Sequence, residues 1–218
     1  MTQSATEYQP KNERHRRNRQ RLSESQISIE RHAIRLRSEL RVSDFCALPH
    51  DAALARIPNC EVWALKNLPG VKFETVNHFR TDGFHIGAFA IRDEAGVVIV
   101  FNDAHPPNAV RVNLMEEFFH IWLGHRPDVL SVYGEHGSLR THDAAKEHEA
   151  YGCAIAALLP YAGLEALLAR GSHVDLIAER FAVPTLVVEQ RIAATKLGDL
   201  ANSTNPQLAL TPIAEDAY

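Results

Sequence analysis

The chain has 218 residues, 45% hydrophobic and 23% charged, with a formal net charge of −4; this suits a globular protein of one domain with appendages, and no global charge excess directs it to nucleic acid or a membrane surface. Cys46, Cys60 and Cys153 are widely spaced and form no C-x-x-C pair, which argues against a disulfide framework or a cysteine zinc knuckle and makes a reducing cytoplasm the expected compartment. The N-terminus lacks an apolar signal core and no run reaches the ~18 apolar residues of a membrane span, so a soluble protein with no membrane partner is expected.

Charge is unevenly placed. Residues 1–41 carry 10 Lys/Arg against 5 Asp/Glu, a net +5, while residues 42–218 carry 13 against 22, a net −9. The expected organisation is a basic N-terminal arm over 1–41, partly disordered and partly helical, a folded body over 42–200, and an irregular tail over 201–218. Within the arm, a helix is expected to firm up after Ser23 or Ser25, either of which can cap it. The run His15-Arg-Arg-Asn-Arg-Gln-Arg21 has the charge to touch phosphates. A solvated helix face accounts for it more simply, so direct nucleic-acid binding through 11–41 is not the favoured expectation.

In the body, Asp51 to Ile57 reads as a short helix and Cys60 to Leu65 as a strand closed by the turn Asn67-Leu-Pro-Gly70. Lys72 to Phe79 reads as a further strand, followed by a turn at Thr81-Asp-Gly83. Ile86 to Ile91 and Val97 to Phe101 are the clearest strands, joined as a hairpin across Asp93-Glu-Ala-Gly96. The unbroken apolar run Val97-Val-Ile-Val-Phe101 predicts a central strand buried on both faces. Pro106 and Pro107 then fix the entry to a helix that Gly124 and Pro127 end. After a loop at Ser131 to Leu139, helices are expected over Asp143 to Leu159 and Gly163 to Arg170. A helix-turn-helix-like pair follows, Asp175 to Phe181 and Thr185 to Leu197, inside a closing segment 171–200, and the tail from Gly198 reads as irregular. Strands gather in the first half and helices in the second, which predicts an α+β fold with helices on one face of a small sheet.

The stretch Arg111-Val-Asn-Leu-Met-Glu-Glu-Phe-Phe-His-Ile-Trp-Leu-Gly-His125 carries the chemistry. Leu114, Phe118, Ile121 and Trp122 make one face of an amphipathic helix, with Glu116, Glu117 and His120 on the other. Glu116 and His120 lie one turn apart, the spacing by which the H-E-x-x-H helix of zinc peptidases presents two metal ligands with a Glu beside the first to act on water. Here Glu stands where that pattern has its first His. A third ligand must come from a later helix, and Lys146-Glu-His-Glu-Ala-Tyr151 offers Glu147, with His148 and Glu149 as rivals and Tyr151 placed to support the site. His125, five residues after His120, falls ~140° round a continuous helix and reads as a terminal His beside the helix dipole.

In these two stretches, Glu116-Glu-Phe-Phe-His-Ile-Trp-Leu-Gly-His125 and Glu147-His-Glu-Ala-Tyr-Gly-Cys-Ala-Ile-Ala-Ala-Leu-Leu-Pro160, the chain resembles the ImmA/IrrE-type metallo-endopeptidases. Their usual signature is H-E-x-G-H-x-x-L-G-H followed by E-x-x-A-N-x-F-A-A-x-L-L-M-P. The closing pair, Ile177-Ala-Glu-Arg-Phe-Ala-Val-Pro184 and a helix with Arg191, is similar too, so the resemblance runs over about residues 45–200. It implies a zincin-like small mixed sheet packed on an active-site helix and a third-ligand helix. It also implies Glu116, His120 and Glu147 as metal ligands and Glu117 as general base. The implied cofactor is Zn²⁺, with Mn²⁺ or Fe²⁺ as alternatives for a carboxylate-rich set, and the implied partner is a protein substrate such as a helix-turn-helix repressor. Among the chain's departures from the signature are Glu116 (His in the family), Phe119 (Gly), Tyr151 (Asn) and Leu159 (Met). A catalytically decayed module on the same fold is the alternative that Glu116 raises.

Overall fold

The computed structural model describes residues 22–81, 86–92, 94, 96–125 and 143–204. The basic run His15–Arg21, the turn at Asp82 and Gly83, Pro127, the loop Ser131–Leu139 and the tail beyond residue 204 lie outside the described residues.

Helix α1 spans Glu24–Glu39 and opens on a capping box. The Ser23 hydroxyl accepts from the Gln26 backbone N–H, and the Gln26 side chain accepts from the Ser23 backbone N–H, which stabilises the helix start by ~1 kcal/mol. Ile29, Ala33 and Leu36 recur at helical spacing and are buried in the main core, packed on the helix that carries Glu147. Arg37 is buried beside them. Its guanidinium donates to the Ala157 carbonyl at 2.6 Å, to the Cys46 carbonyl at 2.7 Å and to the Ser43 carbonyl, and so ties α1 to a distant helix and to the following loop.

A short helix α2 (His50–Leu54) leads to strand β1 (Cys60–Ala64), a 3-10 turn (Leu65–Asn67) and helix α3 (Phe73–Thr81). The expected strand at Lys72–Phe79 is therefore a helix. Thr75 and Val76 favour a strand locally, but Val76 and Phe79, about one helical turn apart, form the apolar face that packs on the sheet. Val76 is buried with Leu65 and Val100, and Phe79 packs against them.

Strands β2 (Ala88–Arg92) and β3 (Val97–Phe101) pair antiparallel, Ala88 opposite Phe101 and Arg92 opposite Val97, as the hairpin reading requires. β1 joins β3 in parallel, giving a mixed three-stranded sheet in the order β1-β3-β2. β3 is central, and both its faces are covered at its middle. Ile99 enters the main core and Val100 meets Leu65 and Val76 of the smaller cluster. The helices are thus not all on one face, because α3 caps the second.

Helix α4 (Pro107–Trp122) begins with a proline in its first turn, where the missing N–H has no intrahelical partner to lose. It is buried more fully than a one-sided amphipathic helix, since Val112, Met115 and Phe119 are covered as well as Leu114 and Phe118. Phe119, where the family signature has Gly, fills core against Phe118, the two rings edge-on at 5.1 Å. Helix α5 (Ala144–Leu158) is capped by the Asp143 side chain, which accepts from Ala145 and Lys146 N–H. Its buried small residues, Ala150, Cys153, Ala154 and Ala157, let α4 and α1 pack closely on it.

Helices α6 (Tyr161–Ala169), α7 (Val174–Phe181) and α8 (Thr185–Ala194) follow, α7 and α8 turning at Ala182 in the left-handed conformation. Helix α9 (Gly198–Thr204) replaces the start of the expected irregular tail. Buried Leu197 and Ala201 anchor it despite the weak helix preference of Asn, Ser and Thr. No single helix among the described residues is long and apolar enough to cross a membrane; α5 and α6 reach that composition only together, across a 55° bend.

Candidate metal centre

Two helices build the site. α4 contributes Glu116, Glu117 and His120 from the face not committed to the core, and the first turns of α5 contribute Glu147. Because α5 approaches α4 over alanines and Cys153, a carboxylate on its N-terminal half reaches across. One ligand atom each from Glu116, His120 and Glu147 lies within 4.8 Å of the others, and His120 Nε2 stands 3.4 Å from Glu147 Oε2.

The donors suit a divalent cation. Ligands held at ~2.0–2.2 Å in a tetrahedron stand ~3.4 Å apart, which is the His120–Glu147 separation. Carboxylates crowd one another at the site. The Glu116 carboxyl is pushed up to about 8, first by burial and then by the neighbouring Glu117 and Glu147 carboxylates. A dication would remove that repulsion and hold Glu116 ionised at neutral pH.

The other sequence candidates fall elsewhere. Glu149 is outside the three-residue cluster, its Oε2 3.2 Å from His125 Nε2. His148 lines a groove with Leu22, Gln26 and Tyr151. The Tyr151 hydroxyl donates to Gln190 Oε1 of α8 at 2.9 Å. Tyr133, His136 and His142, whose side chains have the chemistry to donate to an oxyanion, lie outside the described residues.

His125 is the residue that sequence reasoning placed least well. It is absent from the three-residue cluster, yet its Nδ1 lies 3.2 Å from His120 Nδ1. The helix does not continue to residue 125, so the ~140° estimate does not apply. It stops at Trp122, and Gly124 at φ 72° turns the chain back. Gly124 N–H then bonds the Ile121 carbonyl at 3.1 Å and His125 N–H bonds the His120 carbonyl at 2.9 Å, a Schellman close that sets His125 over His120. The signal was available in Leu123-Gly124-His125, since a glycine just past a helix end marks this reversal.

The family model described as the IrrE N-terminal-like domain, a peptidase family, matches residues 65–193. That span holds strands β2 and β3, both helices of the candidate metal centre and nearly all of the α7–α8 pair. No curated protein and no solved structure matches the chain. Membership carries a metallopeptidase-type hydrolase, a divalent metal and a protein substrate as the general expectation. On a match covering more than half its length, the chain belongs to the IrrE N-terminal-like family of peptidases.

Proposed function

We propose that the protein is a metal-dependent endopeptidase that hydrolyses a peptide bond in a protein partner, with Glu116, His120 and Glu147 as ligands and Glu117 as general base. The observation that carries this reading is the convergence of the three donors from α4 and α5 to within 4.8 Å, in a chain of a peptidase family. Zn²⁺ is the cofactor we assign, on intrinsic affinity, while two carboxylates and one imidazole bring Mn²⁺ and Fe²⁺ closer to it than a two-histidine set does. When bound, the cation supplies Lewis-acid polarisation of the scissile carbonyl and a lowered pKa for water at the site. Glu117, one residue after Glu116 and one turn from His120 and Ile121, accepts the proton of the attacking water and returns it to the departing amine. The substrate lies extended along β2, an edge of the described sheet with Ile91 exposed, where backbone pairing holds any sequence and side-chain pockets select.

The family resemblance, rather than the geometry, suggests a helix-turn-helix repressor as that partner. The free thiols Cys46, Cys60 and Cys153 suit a reducing compartment such as the cytoplasm. One observation favours a second reading, a decayed module that binds without cleaving. Glu116 replaces an imidazole by an anion, which lowers the Lewis acidity of any bound cation. Zinc-loaded wild type and Glu117→Gln, each incubated with an unstructured peptide library and read by mass spectrometry, decide between them. Peptidase action predicts cleavage that falls ~10²–10⁴-fold in the variant at unchanged zinc content. Zinc uptake without cleavage by wild type selects the decayed module.

A further inference from the structure

The metal-site reading leaves His125 and Glu149 without a role, yet the structure joins them behind His120. His125 Nδ1 lies 3.2 Å from His120 Nδ1, and His125 Nε2 lies 3.2 Å from Glu149 Oε2. The two imidazoles meet edge-on, centroids 5.1 Å and planes 71° apart, so nitrogens and not ring faces are in contact. The His125 side chain is 9% exposed, held there by the reversal at Gly124. Glu149 follows Glu147 by two residues on α5, so one helix carries both a ligand and the far end of this chain of contacts.

We propose that Glu149 and His125 are positioning residues that fix the tautomer of His120, with Nδ1 protonated and the Nε2 lone pair turned toward Glu147 and the metal position. The proposal rests on the metal-site reading above.

The direction follows from donor chemistry. An ionised carboxylate only accepts, so His125 must present its N–H at Nε2 to Glu149. A neutral imidazole with the proton on Nε2 has a lone pair on Nδ1, which accepts from His120 Nδ1–H. His120 is then left unprotonated at Nε2, the nitrogen 3.4 Å from Glu147 and the form a metal ligand must take. The reverse direction sets the His125 Nε2 lone pair against a carboxylate at 3.2 Å. Glu147, an acceptor 3.4 Å from His120 Nε2, draws the proton to that nitrogen until a cation takes its place, and the Glu149–His125 pair opposes it. The same two bonds stop the His120 ring from swinging, which lowers the ordering cost of capturing a cation.

The test uses full-length, ¹⁵N-labelled, metal-stripped protein at about pH 8, where ordinary imidazoles are neutral. Wild type, Glu149→Gln and His125→Phe are compared by ring-nitrogen NMR, and their zinc affinities by competition with a chromophoric chelator. Gln presents an N–H where Glu presents only acceptors, so it permits the reverse direction. Expected are a larger share of Nδ1-protonated His120 in wild type than in either variant, and zinc affinity ~10–100-fold weaker in each variant. An unchanged His120 tautomer in the variants, or zinc affinity within roughly twofold of wild type, overturns the proposal. Glu149 is 42% exposed, so its amide variant keeps the fold and decides the matter alone should His125→Phe not fold. Wild type that takes up no zinc overturns the metal-site reading instead, and the ring tautomer still decides this one.

Discussion

Glu116→Gln is expected to stabilise the metal-free protein at alkaline pH and to leave it unchanged in acid. The Glu116 carboxyl sits at about 8 in the folded chain against an ordinary 4.5, because it is buried and faces Glu117 and Glu147. A carboxyl raised by folding contributes stability that is fully present below its unfolded pKa and is lost as pH rises through its folded one. The window here runs from 4.5 to about 8. At ~1.36 kcal/mol per pH unit, that interval comes to ~5 kcal/mol, a ceiling because the side chain keeps some contact with water. Gln has no charge to bury, so the variant escapes the loss. Urea denaturation of chelator-treated wild type and Glu116→Gln at pH 4.5, 6, 7.5 and 9 reads the difference directly. The variant should gain on wild type by several kcal/mol across the series, with most of the change complete by about pH 8. Adding zinc at neutral pH should close the gap from the other side, stabilising wild type alone and releasing a proton as it binds. A stability difference that stays flat to within ~1 kcal/mol would refute the picture of three crowded carboxylates awaiting a cation.

Arg37→Met should cost about 3 kcal/mol by denaturation midpoint, because the carbonyls of Ala157, Ser43 and Cys46 lose their donor inside the core; a loss under ~1 kcal/mol would mean that α1 is held by its apolar face alone. Gly163→Ala should be destabilising by about 2 kcal/mol or more, since a Cβ there collides with the Asp44 carbonyl oxygen and reaches Phe181. Gly198→Ala, in open space at the start of α9, should be neutral or stabilising by under ~1 kcal/mol in the same assay.

The readable parts of the sequence are those where local pattern and tertiary packing agree. The hairpin of β2 and β3, the proline-led α4, the Asp143-capped α5 and the α7–α8 pair all have a period and a boundary signal in the chain itself. The helix at Phe73–Thr81 was illegible because its β-branched residues compete with an apolar spacing that only the sheet face above Val76 makes decisive. α9 was hidden for a related reason, its polar composition being overruled by the burial of Leu197 and Ala201. At the candidate metal centre, Glu116, His120 and Glu147 could be picked out by helical spacing and family resemblance, while their approach to one another depends on the small residues that let α5 settle against α4. The contact of His125 with His120 needed the helix end to be placed correctly, since a single residue at Gly124 decides whether His125 points away from His120 or back over it.

The proposed chemistry requires that Glu116, His120 and Glu147 together hold one divalent cation. Zinc titration of stripped wild type, His120→Ala and Glu147→Ala, followed by metal analysis after gel filtration, tests it most directly. Wild type should retain one equivalent and either variant none. Wild type that retains no metal, or a variant that still retains a full equivalent, would contradict it.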